Sequence, residues 1–421
     1  MTWTMWAALI VVVGTVWALI KRYETRLVLL TSGLIMTILS LDPMAAFEQF
    51  DQSMTNNSLI IVICSSMGFA ATMNLTKCDL HLVSLLTKPL NKLGILLLPC
   101  CMIVTGITSL AISSLSGMCA AIGPTIVALM IRAGFRPAMA AATVIASTLP
   151  SFWSPGSSHN GFVAKLAEWP VMDFITYTGF RTLLISIVCI VFLTVACFIF
   201  GDFKKGGFEN EGVHKSNVEL PEHPNVLWAF APLLPVVLLF VIAFWFPNVK
   251  MSVATAMLFG FIYTMIVTRS NPTELIKKFF DGMGHGYGSI IGLIIAAGVF
   301  AAGLRTCGVI DVFVEYLKNS SEVAKLGAAI GPMALGIMTG SGDAAGFAFN
   351  EAVTPHAPEF GMTIPDLGYL AIVSATLGRV SSPIAAGVII IAGIANVSPL
   401  EVIKRSLPVN AAVLVFLYFI S

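Results

Sequence analysis

Long apolar runs and short polar stretches alternate along this chain, and each run can be measured against the roughly 20 apolar residues a helix needs to cross a bilayer. Trp3–Ile20, Leu27–Leu41 and Leu59–Leu75 predict spanning helices, with the polar stretch Asp42 to Ser58 between the second and third. Lys77–Lys92 is too charged to span. Its Leu82, Val83, Leu86 and Leu90 recur at helical spacing, which fits a helix lying in the interface. From Leu93 to Ile131 no residue is charged, a length that fits two full spans or one re-entrant hairpin turning at Ser113-Ser-Leu-Ser-Gly117. A broken helix over about Pro137–Glu168 and a span over about Ile175–Phe200 follow. Gly201–Pro224 is polar and reads as a linker. Its His214 and His223 have no cysteines near them, so no metal site is expected there. The plan then repeats. Spans at Val226–Phe246 and Met251–Thr268 precede the charged stretch Arg269–Asp281 and a helix near Ser289–Leu304. Ile310, Phe313, Val314 and Leu317 mark an amphipathic helix, and Leu326–Met338 leads to a second tip, Thr339-Gly-Ser-Gly-Asp343. A second broken helix over 367–395 and a span over Leu407–Ile420 complete the chain.

The two interruptions share one design. Ala375-Thr-Leu-Gly-Arg-Val-Ser-Ser-Pro383 breaks an apolar run with a proline, which removes a backbone donor and clashes with the preceding turn. Ser382 before Pro383 predicts an N-cap and first residue for the restarted helix. Thr148-Leu-Pro-Ser-Phe-Trp-Ser-Pro-Gly156 lies 228 positions upstream, aligning Thr148-Leu149 with Thr376-Leu377 and Ser154-Pro155 with Ser382-Pro383. Phe69-Ala70-Ala71 matches Phe300-Ala301-Ala302, and Phe50-Asp51 matches Phe280-Asp281, at nearly the same offset. Three matches in one order point to an internal duplication: residues 1–200 and 225–421 as two repeats, joined by a linker at 201–224.

Composition narrows the class. The chain is 57% hydrophobic and 11% charged, with mean hydropathy +0.91, whereas soluble domains carry about 25% charged residues. The expected fold is an all-α polytopic membrane protein. A net charge of +1 gives no reason to expect a nucleic-acid partner. The eight cysteines lie mostly inside apolar runs and form no C-x-x-C pair, so they read as small buried side chains. Charge also sets topology. With five spans and one re-entrant hairpin per half, the halves are inverted. One face then holds only Lys165, Arg181, Lys250, Arg305, Lys318 and Lys325, and the other holds the remaining Lys and Arg except Arg379. Positive loops stay inside. The linker is therefore expected in the cytoplasm and both termini in the periplasm, with the chain in a bacterial inner membrane surrounded by lipid.

Paired broken helices in inverted repeats point to a secondary transporter with its site near the midplane. Half-helix N-termini offer free N–H groups and a positive dipole end, which suit a carboxylate. The candidate substrate contacts are Ser113, Ser114, Ser116 and Gly117 at the first tip, and Ser154, Gly156, Ser157 and Asn160 at the first break. Gly340, Ser341 and Gly342 at the second tip and Arg379, Ser381 and Ser382 at the second break complete the set. A charge at membrane depth costs roughly 2.5–3.5 kcal/mol. Arg379 therefore grips a substrate carboxylate with its planar fork or pairs with Asp343 as a brace. Asp343, Ser151 and Thr376 are candidates for Na⁺ or H⁺ coupling, His159 for facing the cavity, and Asn350 and Glu351 stand behind them. No other cofactor and no metal ion is expected.

Hairpin tips, two Ser-Pro breaks and halves joined by a polar linker resemble the ion transporter superfamily, and within it the anaerobic C4-dicarboxylate carriers of the DcuC family. The resemblance implies a homodimer built on scaffold helices within 1–75, and transport elements at 93–168 and 326–396 that move as an elevator. It also implies secondary active transport of succinate, fumarate or malate. Sodium-coupled relatives carry Ser-Asn-Thr at each tip; here the tips read Ser-Leu-Ser and Gly-Ser-Gly-Asp, which leaves protons or exchange open. Another organic anion or an amino acid is the alternative cargo. Gly340-Ser-Gly-Asp343 also fits the G-x-G-D of intramembrane aspartyl proteases, but that chemistry needs a second carboxylate, and Asp42, Asp51, Asp173, Asp281, Asp311 and Asp366 all fall at span ends or in loops. An ion channel is the third class, separable from a carrier by saturation and counterflow.

Overall fold

The computed structural model describes residues 3–21, 23–87, 94–112, 114–204, 221, 223–246, 249, 251–310, 312 and 321–421. Helices and the turns between them make up the described residues, with an isolated β-bridge between Phe135 and Phe203. In the first half the helices are α1 (Trp3–Ile20), α2 (Thr25–Leu39), α3 (Met44–Met54), α4 (Asn57–Thr76) and α5 (Cys78–Thr87), followed by α6 (Leu97–Ala111), α7 (Leu115–Arg132), α8 (Pro137–Ala146), α9 (Ser158–Leu166) and α10 (Val171–Ile199). The second half contains α11 (Val226–Phe230), α12 (Leu234–Trp245), α13 (Val253–Thr268), α14 (Pro272–Gly286) and α15 (Gly292–Thr306). It ends with α16 (Ser321–Thr339), α17 (Gly342–Ala352), α18 (Ile364–Val380), α19 (Ala386–Ile394) and α20 (Pro399–Ile420). Among the described residues, seven helical stretches are long and apolar enough to cross a membrane, including both Gly94–Ala111 and Leu115–Arg132.

Two polar stretches turn out to be helical. Asp42 to Ser58 contains α3, and Arg269–Asp281 contains most of α14. Asn271 caps α14 by accepting from Thr273 N–H, and Pro272 takes the first position, where a missing N–H costs nothing. Glu274, Lys277, Lys278 and Asp281 are exposed, while Leu275, Phe279, Gly282 and Gly286 are buried. Gly282 and Gly286 lie against Met67, Gly68 and Ala71 of α4. A π-helical turn at Tyr287–Ile291 carries α14 into α15, giving one rod from Pro272 to Thr306. Of the predicted amphipathic helix, Phe313, Val314 and Leu317 lie outside the described residues, as do linker positions 205–220 and 222.

The packing is reciprocal between halves. α3 packs on α15 while α14 packs on α4, and α2 packs on α15 while α13 packs on α4. α10 and α20, the last helix of each half, pack on each other. The largest apolar cluster joins α6 to α10 with α16 to α20; two smaller ones centre on α2, α4, α13, α14 and α15. The start of the linker is tied to α20 and to the turn before α8. Asp202, fully buried, accepts from Arg405 of α20 at 2.6 and 3.0 Å, and its carbonyl accepts from Arg136 N–H.

Candidate functional site

The first break forms because α8 is followed by residues that close turns instead of continuing it. Thr148 Oγ1 donates back to the Ile145 carbonyl, and Pro150 opens a single 3-10 turn over Leu149–Trp153. The chain extends through Ser154 and restarts as α9 at Ser158, with Ser157 in the cap position. In the second break α18 stops at Val380 and α19 restarts at Ala386, with Ala385 in the cap position. The restart therefore comes three residues after the predicted Ser-Pro start. Ser382 spends its hydroxyl on Ile384 N–H and its carbonyl on Ala385 N–H, so Ser382-Pro383 closes a turn instead of capping a helix. Neither Ser157 nor Ala385 makes a side-chain cap bond, so no side-chain cap covers the first-turn N–H groups of α9 and α19.

Both hairpin tips bring a further helix start to the same place. Ser114 Oγ accepts from Gly117 N–H to begin α7, and Ser341 Oγ accepts from Ala344 N–H to begin α17, each at 3.3 Å. Gly340 turns the second tip at φ +71, pressed so close to the second break that a Cβ would stand 3.1 Å from Ala385 N. A cavity of about 330 Å³ lies where these four starts meet. Its wall includes Ser114 and Ser116 before and in α7, Ser157 to His159 at α9, Gly340, Ser341 and Asp343 at α17, and Ala385 to Gly387 at α19. Ser151, Ser154 and Gly156 of the first break and Thr376 and Arg379 of α18 also line it. Across from them stand Ile63 and Met67 of α4 and His285, Ser289 and Ile290 at the π turn.

Inside the cavity the fixed charges are matched. Arg379 donates to Asp343 Oδ1 at 3.0 Å, and His159 Nε2 lies 3.0 Å from the same oxygen. The brace reading of Arg379 is thus realised in this arrangement. Arg379 Nε, however, is buried with no hydrogen-bond partner among the described residues. Four helix N-termini, each worth roughly half a positive charge, then leave the cavity electropositive beyond its balanced ion pair.

The remaining candidates divide. Ser113 lies outside the described residues. Gly117, Asn160, Gly342, Ser381 and Ser382 are absent from the wall. Asn160 is fully buried behind the break, its Nδ2 donating to the carbonyls of Phe152 and Ser154 at 2.7 and 3.0 Å. Ser381 Oγ accepts from Asn410 of α20, and Gly342 allows close approach to α18, where a Cβ would meet Ala375 O at 2.8 Å. Asn350 and Glu351 are buried elsewhere in α17. His285 and Ser289 escape a reading based on breaks and tips. The signal that marks them is a glycine at every second position, Gly282 to Gly288, in a stretch that forms a distorted helix.

Comparison with known proteins decides the family. The profile for DcuC, the C4-dicarboxylate anaerobic carrier, matches residues 39–420. The chain belongs to the DcuC family. Among DcuC-family relatives, the anaerobic C4-dicarboxylate transporter DcuC of Escherichia coli K12 is 28% identical over 95% of this chain and 92% of its own length. An uncharacterized transporter of Haemophilus influenzae is 39% identical over 63% of this chain and 98% of its own length. The fold is similar to the crystal structure of the Alcanivorax borkumensis YdaH transporter, with a TM-score of 0.64 at 14% identity, covering 89% of this chain and 86% of that one. Membership in a carrier family makes the chain a multi-pass transporter and not an enzyme, which removes the aspartyl-protease reading.

Proposed function

We propose that this DcuC-family transporter is a secondary active carrier of C4-dicarboxylates such as succinate, fumarate and malate in the bacterial inner membrane. The observation that carries the reading is the meeting of four helix N-termini around a cavity of about 330 Å³ that also holds Arg379. First-turn N–H groups and aligned dipoles favour anions without any dedicated cationic residue, and a cavity near 300 Å³ matches small-ligand sites. In this reading Asp343 occupies Arg379 while the cavity is empty, a substrate carboxylate takes its place, and the released Asp343 holds the coupling H⁺ or Na⁺. The reciprocal packing of the halves supports inverted repeats and fits both hairpins being re-entrant, and the excess of Lys and Arg on one set of loops supports a cytoplasmic linker and periplasmic termini. The body formed by α6 to α10 and α16 to α20 would then move as the elevator car against α1 to α4 and α12 to α15, which form the dimer. Ser113, Ser114, Ser116, Ser154, Gly156, Ser157, Gly340 and Ser341 are the polar contacts proposed for the anion, with Ser151 and Thr376 beside the coupling site.

The test is uptake of radiolabelled succinate into proteoliposomes. Arg379→Ala is expected to abolish uptake with folded protein retained, and Arg379→Lys to restore little, because an ammonium lacks the planar fork. Near-normal uptake by the alanine variant would refute the assignment. A thermal-shift screen of carboxylates on the purified protein separates C4-dicarboxylates from other organic anions and amino acids.

A further inference from the structure

A second cavity, of about 280 Å³, lies between α6, the first break and α10. Its walls include Ile103 and Ile107 of α6, Pro150 and Trp153 of the 3-10 turn, and Ile187 and Ile190 of α10. Every polar side chain among its lining residues is already engaged by backbone. Ser186 Oγ donates to Thr182 O at 2.7 Å, Ser147 Oγ to Thr143 O, Trp153 Nε1 to Gly179 O at 3.1 Å, and Cys189 Sγ to Ala146 O at 3.3 Å. Nothing in the cavity calls for a hydrogen bond, and an apolar cavity of this kind stays dry and takes apolar ligands. The rim says what reaches it. Ile103 is 52% exposed, Leu183 41% and Ile187 47%, and they lie well inside two of the stretches apolar and long enough to cross a membrane, Gly94–Ala111 and Val171–Ile199. At that depth the surroundings are hydrocarbon.

We propose that this cavity is a binding site for one acyl chain of a membrane phospholipid, inserted from the bilayer between α6 and α10 against the first break. Its place gives it a role. Leu149, Pro150 and Trp153 line it, while Ser151, Phe152 and Ser154 of the same short segment line the cavity beside Arg379. The first hairpin rests there too: a Cβ on Gly106 would meet Pro150 Cγ at 2.8 Å, and Ser154 Oγ donates to Leu110 O at 3.0 Å. The acyl chain is thus a removable wedge between the hairpin arm and the segment that holds the anion. The site stands on its own chemistry and does not depend on which anion is carried.

The experiment uses the full-length protein in nanodiscs with increasing fractions of phospholipid carrying a photoactivatable diazirine in its acyl chain, competed with unlabelled phospholipid of the same headgroup. Expected are adducts on residues 102–110 and 183–190 that saturate at one chain per protomer. Ser186→Leu and Ile190→Trp, which fill the cavity from α10, reduce these adducts to background, while Ser186→Ala keeps them. Labelling that rises in proportion to probe without saturation means bulk lipid only and overturns the site. Labelling unchanged in a folded filled variant overturns it as well, as does absence of label because a second copy of the chain covers this face. Should both filled variants fail to fold, saturation in the unaltered protein alone decides.

Discussion

At the scale of single residues, Asp343 lines the cavity and Asn160 holds its wall from behind. Asp343 shares one oxygen between Arg379 and His159, each at 3.0 Å, so its charge is what balances Arg379. Asp343→Asn removes that charge and leaves the amide in place. Counterflow of succinate is expected to persist in this variant, while accumulation driven by an imposed H⁺ or Na⁺ gradient is lost. Gradient-driven accumulation at the unaltered level would remove Asp343 from coupling. Asn160 acts from behind. Its two donated bonds hold the carbonyls of Phe152 and Ser154 in a fully buried place, and a buried acceptor left unpaired costs about 1–3 kcal/mol. Asn160→Ala is therefore expected to lower the thermal midpoint in detergent with or without ligand while keeping the ligand-induced shift, whereas Arg379→Ala abolishes that shift. The sequence marks Asn160 as polar and near a break. It does not say whether such a side chain faces the cavity or braces the backbone around it, because that depends on where the chain goes after Pro155.

At the scale of elements, the breaks and tips were legible and the restart points were not. Proline, glycine and serine inside apolar runs mark where a helix stops, since each withholds a bond or offers the backbone an alternative one. The first residue of the restarted helix is set by how the turn closes, and Ser382 closes it locally through Ile384 N–H and Ala385 N–H. α3 and α14 were hidden for another reason. Their charges occupy one face only, and a count of charged residues along a stretch such as Arg269–Asp281 conceals the buried Leu275, Phe279 and Gly282. Close backbone packing is a further element-level property. A Cβ on Gly378 of α18 would run into the Met333 carbonyl of α16, and a Cβ on Gly336 of α16 would stand 2.7 Å from Ala375 O. The backbones of the second hairpin and the second broken helix touch through glycine, which keeps Asp343 within reach of Arg379. Gly378→Ala is expected to force these helices apart and to destabilise the protein by about 1–3 kcal/mol, the usual range for overpacking, measured as a loss of thermal midpoint. An unchanged midpoint together with full succinate binding would show that the contact is not needed.

At the scale of the whole molecule, α6 to α10 and α16 to α20 meet the remaining helices where α17 lies on α15 and α9 on α4, and the proposed elevator would have to slide at the α9–α4 contact. Small residues line it. A Cβ on Gly156 would meet Ser66 Oγ at 2.6 Å, and one on Gly161 would stand 3.6 Å from Val62 Cβ. The latter spacing falls within the roughly 3.5–4.5 Å between Cβ atoms of a disulfide. In a background where the eight native cysteines are replaced, Val62→Cys with Gly161→Cys is expected to cross-link on oxidation and to fix α9 against α4. Each outcome bears on a different link. A carrier that moves its site through the membrane must release this contact in every cycle, so the oxidised protein should still show a thermal shift with succinate yet give no counterflow, and reductant should restore it. A carrier that opens and closes local gates around a stationary site keeps α9 and α4 together throughout. Full counterflow with the cross-link complete on a gel would therefore sink the elevator and leave the anion site standing, because a carrier that still exchanges succinate has kept the cavity around Arg379 intact.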